Sequence, residues 1–147
     1  MFKNLFGEIS VLFSYPKHLI VLLSRFVVAY GFAKPALMKL SDMTVTASWF
    51  ASISIPFPTF FAYFVSGIET VGIIGLVFGL FTRYVSIFLA LVMIGAIFFV
   101  HIPNGFSVVN DGIEIPLYYM IFLSLFASFG AGKYSLDNLI FKDGNNE

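Results

Sequence analysis

Residues 58–80 read PTFFAYFVSGIETVGIIGLVFGL, an apolar run that contains one charged side chain, Glu69. A helix needs about 20 mostly apolar residues to cross the hydrocarbon core of a bilayer, and this run is long enough. Pro56 and Pro58 stand at its start, where the missing amide hydrogen costs little, and Gly79 stands near its end. The run therefore predicts a membrane-spanning helix.

Three further runs have the same character, at residues 18–39, 83–101 and 115–132. Only helices and closed barrels satisfy their backbone polar groups in lipid, and the alternating pattern of barrel strands is absent from the sequence. Of the 147 residues, 59% are hydrophobic and 11% are charged, against about 25% charged in average soluble domains. We predict an all-α integral membrane four-helix bundle, a single domain over residues 1–147 with a polar tail at 138–147.

Positive charge is divided unevenly between the two ends of the predicted bundle. The end with both termini and the short turn at 80–83 carries Lys3, Lys17, Arg83, Lys133 and Lys142. The loops at 39–57 and 102–114 carry Lys39, with Lys34 just inside the membrane. By the positive-inside rule we expect cytoplasmic N and C termini and outward-facing loops.

Composition excludes several classes of function. With 8 Lys and Arg against 8 Asp and Glu, and no basic run, nothing predicts nucleic-acid binding. The chain has no cysteine, so iron–sulfur clusters and thiolate metal sites are excluded. His18 and His101 lie at opposite ends and cannot bracket one haem, no metal-ligand spacing occurs, and no flavin motif is present. Redox chemistry would need a borrowed cofactor.

Two ionisable residues fall at membrane depth, where an unpartnered charge costs several kcal/mol. Arg25 lies about 10 Å from the inner end of the first span and Glu69 about 16 Å from the inner end of the second. A guanidinium on its long stem can close that difference, so we predict an Arg25–Glu69 ion pair. Such a pair serves either packing and assembly or a functional site, and the sequence leaves both open.

Further ionisable groups stand at the outer boundary. Lys39 follows Arg25 by fourteen residues, which places the two within about 40° of each other on one helix face. His101 ends the third span and Glu114 precedes the fourth. Taken alone, a histidine at a helix end is typical of a cap. Together with Glu69, these groups point to a polar cluster in the outer half of the bundle.

The order and spacing of several short motifs resemble those of the DoxX family of four-helix membrane proteins. The similarity runs from about Ser24 to Leu139 and includes Arg25 with Lys39, Ile55–Pro58, Gly67-x-Glu69, Gly79–Arg83, His101-x-x-Asn104-Gly105-Phe106, Glu114-x-Pro116 and Gly132–Asp137. Pro35-Ala36 stands where such proteins often show His-Gly before the lysine.

The resemblance implies a multi-pass protein of a prokaryotic cytoplasmic (inner) membrane. The family name derives from similarity to a subunit of thiosulfate:quinone oxidoreductase, and relatives occur in membrane oxidoreductase complexes. It implies a polar, ligand-binding cluster without assigning catalytic residues. The cluster comprises Arg25, Lys39, Glu69, His101, Asn104 and Glu114.

Three functions fit these observations. The first is a subunit of a quinone-linked oxidoreductase that binds a quinone in an outer-half pocket and depends on a redox partner protein for electrons. The second is a binding or transport module for a small amphipathic or anionic ligand, whose affinity would not depend on redox state. The third is a non-catalytic assembly protein that docks a partner or a second copy of itself. The sequence alone does not decide between an enzyme and these alternatives.

Overall fold

The computed structural model describes Gly7, Glu8, Val11 and residues 16–141. Regular structure between residues 16 and 141 is entirely helical, which confirms the all-α prediction for this part of the chain. Its α-helices are α1 (Lys17–Ser41), α2 (Met43–Ser52), α3 (Pro58–Phe78), α4 (Thr82–Ala96), α5 (Glu114–Phe129) and α6 (Leu136–Ile140). A π-helical turn, Ile97–His101, and a 3-10 turn, Ile102–Asn104, continue α4.

Three helices have the length and composition of membrane spans: α1, α3 and the extended α4 from Thr82 to Asn104. The fourth predicted run forms α5, which is apolar but has 16 residues. This is slightly below the about 17 residues usually needed to cross a bilayer. The described part of the chain therefore contains three apolar helices long enough to span a membrane and one shorter apolar helix.

The predicted loop at 39–57 is wrong in part, because residues 43–52 form α2. The side chain of Asp42 accepts hydrogen bonds from the amides of Thr44 and Val45 at 2.9 and 3.0 Å, and this cap starts the helix. Phe50 and Thr46 are buried, and α2 packs against α3. Ten residues are too few to span a membrane, so an apolar-span search overlooks such a helix.

The long helices run antiparallel, with α1 against α3, α3 against α4, and α4 against α5. We call one end of the bundle the turn end, since it contains the tight connection at residues 79–81 between α3 and α4. The opposite end, which contains residues 42–57 and 102–113, is the loop end. Gly79 and Phe81 both adopt left-handed backbone conformations in the tight connection.

An apolar layer fills the bundle between its two ends. Its fully buried members are Val28, Ala29, Phe32, Leu76, Leu89, Leu123 and Phe126. Gly72 permits the close contact of α3 with α4, because a Cβ there would lie 2.6 Å from the Leu89 side chain. Gly75 similarly faces Val85 at 2.9 Å. Gly72 and Gly75 thus serve packing within one bundle.

The outward faces of the long helices are apolar. In the most hydrophobic 18-residue stretch of α4 and its extension, only 11% of the residues are buried within the chain. Large exposed apolar side chains follow one another along this helix, among them Tyr84, Ile87, Phe88, Leu91 and Phe98. Contiguous apolar surface on this scale fits a lipid environment and not water.

The predicted polar tail begins differently from expectation, because residues 138–140 belong to α6. Ser135 starts this helix by accepting a hydrogen bond from the amide of Asn138 at 3.2 Å. The remainder of the predicted tail from residue 142, and with it Lys142, lies outside the described residues, as does Lys3. The positive charges that remain for comparing the two ends are those between residues 16 and 141.

Candidate functional site

The charged pair at membrane depth joins Lys39 of α1 to Glu69 of α3. The Lys39 Nζ and Glu69 Oε2 atoms are 2.9 Å apart. The Glu69 side chain is 3% exposed and the Lys39 side chain 17%, so the carboxylate is enclosed while the ammonium stays partly reachable. The predicted Arg25–Glu69 ion pair is therefore wrong.

The direction of the helices explains the correction. The Arg25 guanidinium lies against Gly79, where a Cβ would overlap its Nη1 atom. Gly79 is ten residues from Glu69, or about 15 Å along a helix. Because α1 runs antiparallel to α3, moving from Arg25 to Lys39 moves towards Glu69. The prediction of an Arg25–Glu69 pair compared only the depths of the two residues along their helices. It could not include the tertiary contact that holds Arg25 at the turn end.

Polar side chains of α2 and α3 lie near the residues of the ion pair. Thr46 of α2 donates hydrogen bonds to the carbonyls of Lys39 at 3.1 Å and Asp42 at 3.0 Å, which fastens α2 to the end of α1. Ser66 lies one helical turn before Glu69 on the same face of α3, and it is fully buried. Its hydroxyl has no hydrogen-bond partner among the described residues. A buried hydroxyl without a hydrogen-bond partner in this part of the chain therefore lies close to the ion pair.

Arg25 belongs to a second polar group at the turn end. It is fully buried, and its Nη2 donates a hydrogen bond to the Tyr134 carbonyl at 2.5 Å. The negative charge of Asp137 favours the charged guanidinium, against the larger opposing effect of its burial. The group thus connects α1 to the segment that follows α5.

Asp137 is a structurally important residue that the sequence analysis did not select. Its carboxylate accepts the amides of Phe81 at 2.6 Å and Thr82 at 2.9 Å, while its own amide donates to the Gly79 carbonyl at 2.9 Å. These bonds cap α4 from a residue 55 positions away in sequence. The signal was present, because Gly79–Arg83 and Gly132–Asp137 are two of the motifs that carry the family resemblance.

The three remaining predicted residues organise the 102–113 loop. His101 Nδ1 lies 2.7 Å from the Asp111 carbonyl, and Asn104 donates to the same carbonyl at 3.3 Å. Glu114 accepts the Val108 amide at 2.9 Å and the Tyr118 hydroxyl at 3.0 Å. Within residues 16–141, no hydrogen bond or ion pair joins these side chains to Glu69. The six predicted residues thus occupy three places: the turn end, the ion pair and this loop.

A shallow groove of about 310 Å³ lies between α2 and the start of α3. Its lining combines apolar and hydroxyl side chains: Met43, Thr44, Ala47, Ser48, Ala51, Pro58, Thr59 and Tyr63. None of the six predicted residues lines it. Over the described part of the chain, no three His, Asp or Glu side chains are grouped as metal ligands.

Comparison with known proteins identifies the family of this chain. Residues 20–102 match the DoxX family. This chain belongs to the DoxX family. The DoxX match contains Arg25, Lys39, Glu69 and His101, and it ends before Asn104, Glu114 and Asp137.

Two of three relatives of this DoxX protein cover more than four fifths of its length, and the third covers half. An uncharacterized protein of Haemophilus influenzae is 32% identical over 130 residues, 83% of each chain. A second one from the same organism is 41% identical over 78 residues, 51% of this chain and 58% of the relative. A Bacillus subtilis protein named "Putative oxidoreductase CatD" is 34% identical over 125 residues, 85% of this chain and 90% of the relative. No solved structure matches the chain.

Proposed function

We propose that this chain is a membrane subunit of a quinone-linked oxidoreductase system and that the Lys39–Glu69 pair contacts the polar head of the ligand. The observation that carries the proposal is the pair itself, since a carboxylate 3% exposed faces an ammonium in an apolar bundle. Ionisable groups at membrane depth are costly and are typical of ligand, ion or proton sites. The name of the Bacillus subtilis relative, a putative oxidoreductase, supports a redox association.

The geometry suits a carbonyl-bearing ligand. A lysine ammonium has three N–H donors, and Glu69 occupies one of them. The partly exposed Lys39 therefore retains donors for an acceptor oxygen, and the unpartnered Ser66 hydroxyl adds another. A quinone presents two carbonyl acceptors on an apolar ring, which is the class of ligand that such a mixed site binds.

Electrons must reach the quinone from outside this chain. Reduction to a quinol consumes two electrons and two protons, and the 147 residues include no cysteine. A redox partner protein supplies the electrons in this proposal. The Lys39–Glu69 pair positions the ligand and passes protons to its oxygens, so the chain acts as a ligand-binding subunit dependent on its partner.

The proposal includes a single membrane domain with four spans, α5 being the fourth, both termini cytoplasmic, in the inner membrane of a prokaryote. It is supported by Lys17, Arg83 and Lys133 at the turn end, against Lys34 and Lys39 at the loop end. Single cysteines can be introduced without background because the chain has none. In intact cells, a membrane-impermeant maleimide should label Val109→Cys (88% exposed) and spare Leu139→Cys (74% exposed). The reverse labelling would overturn the orientation.

Mass spectrometry of the organic extract tests ligand binding directly. Gently purified wild-type protein should carry about one quinone per chain, and Lys39→Gln, Glu69→Gln and Ser66→Ala should lose it. Ser66→Ala leaves the ion pair intact, so it separates ligand loss from misfolding. Lys34→Gln is the matched control, since Lys34 is an exposed lysine of the same helix. Bulk phospholipid alone in all five samples would overturn the proposal.

A second candidate is a non-catalytic assembly protein, which the 102–113 loop favours. His101, Asn104 and Glu114 order this loop, yet its apolar side chains Phe106 and Val109 are 58% and 88% exposed. An ordered loop with exposed apolar side chains can dock another protein or a second copy of the chain. If Val109→Ser reduced recovery of a co-purified polypeptide while quinone content stayed at zero, this second function would be favoured.

A further inference from the structure

The turn end brings basic side chains from three elements around the segment 130–133. Arg83, in the first turn of α4, approaches Gly130, where a Cβ would lie 3.3 Å from its Nε. His18, at the start of α1, accepts the amide of Lys133 through Nδ1 at 3.3 Å. The Lys133 side chain is itself exposed, as is that of Arg83.

Between residues 16 and 141, little negative charge lies near this group. Asp137 is the acidic residue at the turn end between residues 16 and 141, and it is 9% exposed. Its carboxylate is occupied by the amides of Phe81 and Thr82. Neither Arg83 nor Lys133 forms an ion pair within the described part of the chain. Their charges are therefore available to an external anion.

Neutral donors accompany the cations. Because His18 Nδ1 accepts a hydrogen bond, the neutral ring carries its proton on Nε2, which remains a donor. The amides of Ala131 and Gly132 donate no hydrogen bond among residues 16–141. Gly130 and Gly132 both have positive φ angles, 78° and 76°. Within the described residues, the two amides are therefore further unpartnered donors in the segment that precedes Lys133.

We propose that this surface binds the phosphate headgroup of an anionic phospholipid. Exposed apolar side chains continue from it along the helices: Tyr84 and Ile87 follow Arg83 on α4, and Ile20 follows His18 on α1. A phosphate held at Arg83 and Lys133 would thus have its acyl chains beside an apolar helix surface. Basic groups between helices at a membrane boundary bind lipid headgroups in this way. The site is separate from the Lys39–Glu69 pair and does not depend on quinone binding.

The test titrates the detergent-solubilised full chain with short-chain phosphatidylglycerol and follows lipid-bound species by native mass spectrometry. Phosphatidylcholine of the same chain length is the neutral comparison. We expect selective retention of phosphatidylglycerol by the wild type. Removing one cation, by Arg83→Gln or Lys133→Gln, should weaken apparent affinity about fivefold. Lys34→Gln, at the loop end, should have no effect, and Arg83→Lys should keep most of the affinity.

Three results would overturn the proposal: equal retention of the two lipids, unchanged selectivity in the Arg83→Gln and Lys133→Gln double variant, or equal loss in Lys34→Gln. Glycerol phosphate without acyl chains is a further arm. If it competes as well as the lipid at equal concentration, the site binds free phosphate esters and the assignment to lipid is wrong. Circular dichroism of each variant confirms that the helices are retained.

Discussion

The two polar groups of this bundle are built in opposite ways. At the turn end, Arg25 contacts a backbone carbonyl and the space left by a glycine, and Asp137 binds backbone amides. At the loop end, Lys39 and Glu69 contact each other through side chains alone, beside a buried hydroxyl without a partner. Side chains that bond to the backbone, as Arg25 and Asp137 do, stabilise the connections between helices. The Lys39–Glu69 pair instead keeps N–H donors of Lys39 that no group in the described part of the chain uses. The comparison separates a structural group from a candidate ligand site.

An apolar layer lies between the two groups. Val28, Phe32, Leu76 and Leu89 belong to it and are almost completely buried. Interactions usually become independent beyond about 7–10 Å when no partner is shared. The two polar groups should therefore respond separately to substitution, and the following predictions test that independence.

The largest effect is expected for Gly79→Ala at the turn end. The new Cβ would overlap Arg25 Nη1, and Gly79 has φ 66°, where a side chain is strained. Overpacking and backbone strain together should lower the free energy of unfolding by about 3 kcal/mol. Thermal unfolding in detergent measures this. Gly67→Ala is the control, since nothing lies within 4 Å of a Cβ there. Equal stability of the two variants would contradict the tight packing of Arg25.

Asp137→Ala should be the next most damaging change. It removes the acceptor for two amides and the charge opposite Arg25, and should cost about 2 kcal/mol. Asp42→Ala is the matched control at the loop end, because Asp42 caps two amides of α2 without a buried cation beside it. Chemical unfolding of both variants should show Asp137→Ala to be the less stable. The opposite ranking would contradict a stabilising effect of the Asp137 charge on Arg25.

A pair of double-mutant cycles distinguishes the two possible partners of Glu69. Lys39→Met and Glu69→Gln should be coupled by about 1–2 kcal/mol, because either change alone leaves an unpaired polar group. Arg25→Met and Glu69→Gln should be additive within about 0.5 kcal/mol. Unfolding free energies of the wild type and the five variants (three single and two double) give both couplings. A larger coupling for Arg25 than for Lys39 would show that Arg25, and not Lys39, is the partner of Glu69.

The smallest effect is expected in the 102–113 loop. Glu114→Gln keeps an acceptor for the Val108 amide and should change the free energy of unfolding by less than about 1 kcal/mol. Quinone content should also remain at the wild-type level if the Lys39–Glu69 pair alone contacts the ligand. A loss of quinone in Glu114→Gln would return this residue to the ligand site.

The sequence by itself determined the helical class, the apolar runs that became α1, α3, α4 and α5, and the depth of Arg25 and Glu69. These follow from local composition, since lipid requires long apolar helices and makes each buried charge conspicuous. It also contained the motifs Gly79–Arg83 and Gly132–Asp137, but as separate stretches with no stated relation. The short helix α2 escaped notice because its length falls well below that of a span.

Only the tertiary structure decided which groups meet. Arg25 and Lys39 share a face of α1, and either could reach Glu69 on a helical projection. The antiparallel packing of α1 on α3, together with the Tyr134 carbonyl and the space at Gly79, assigns Arg25 to the turn end and Lys39 to Glu69. Ion-pair partners depend on long-range packing, and helical periodicity records only which face of its own helix a residue occupies.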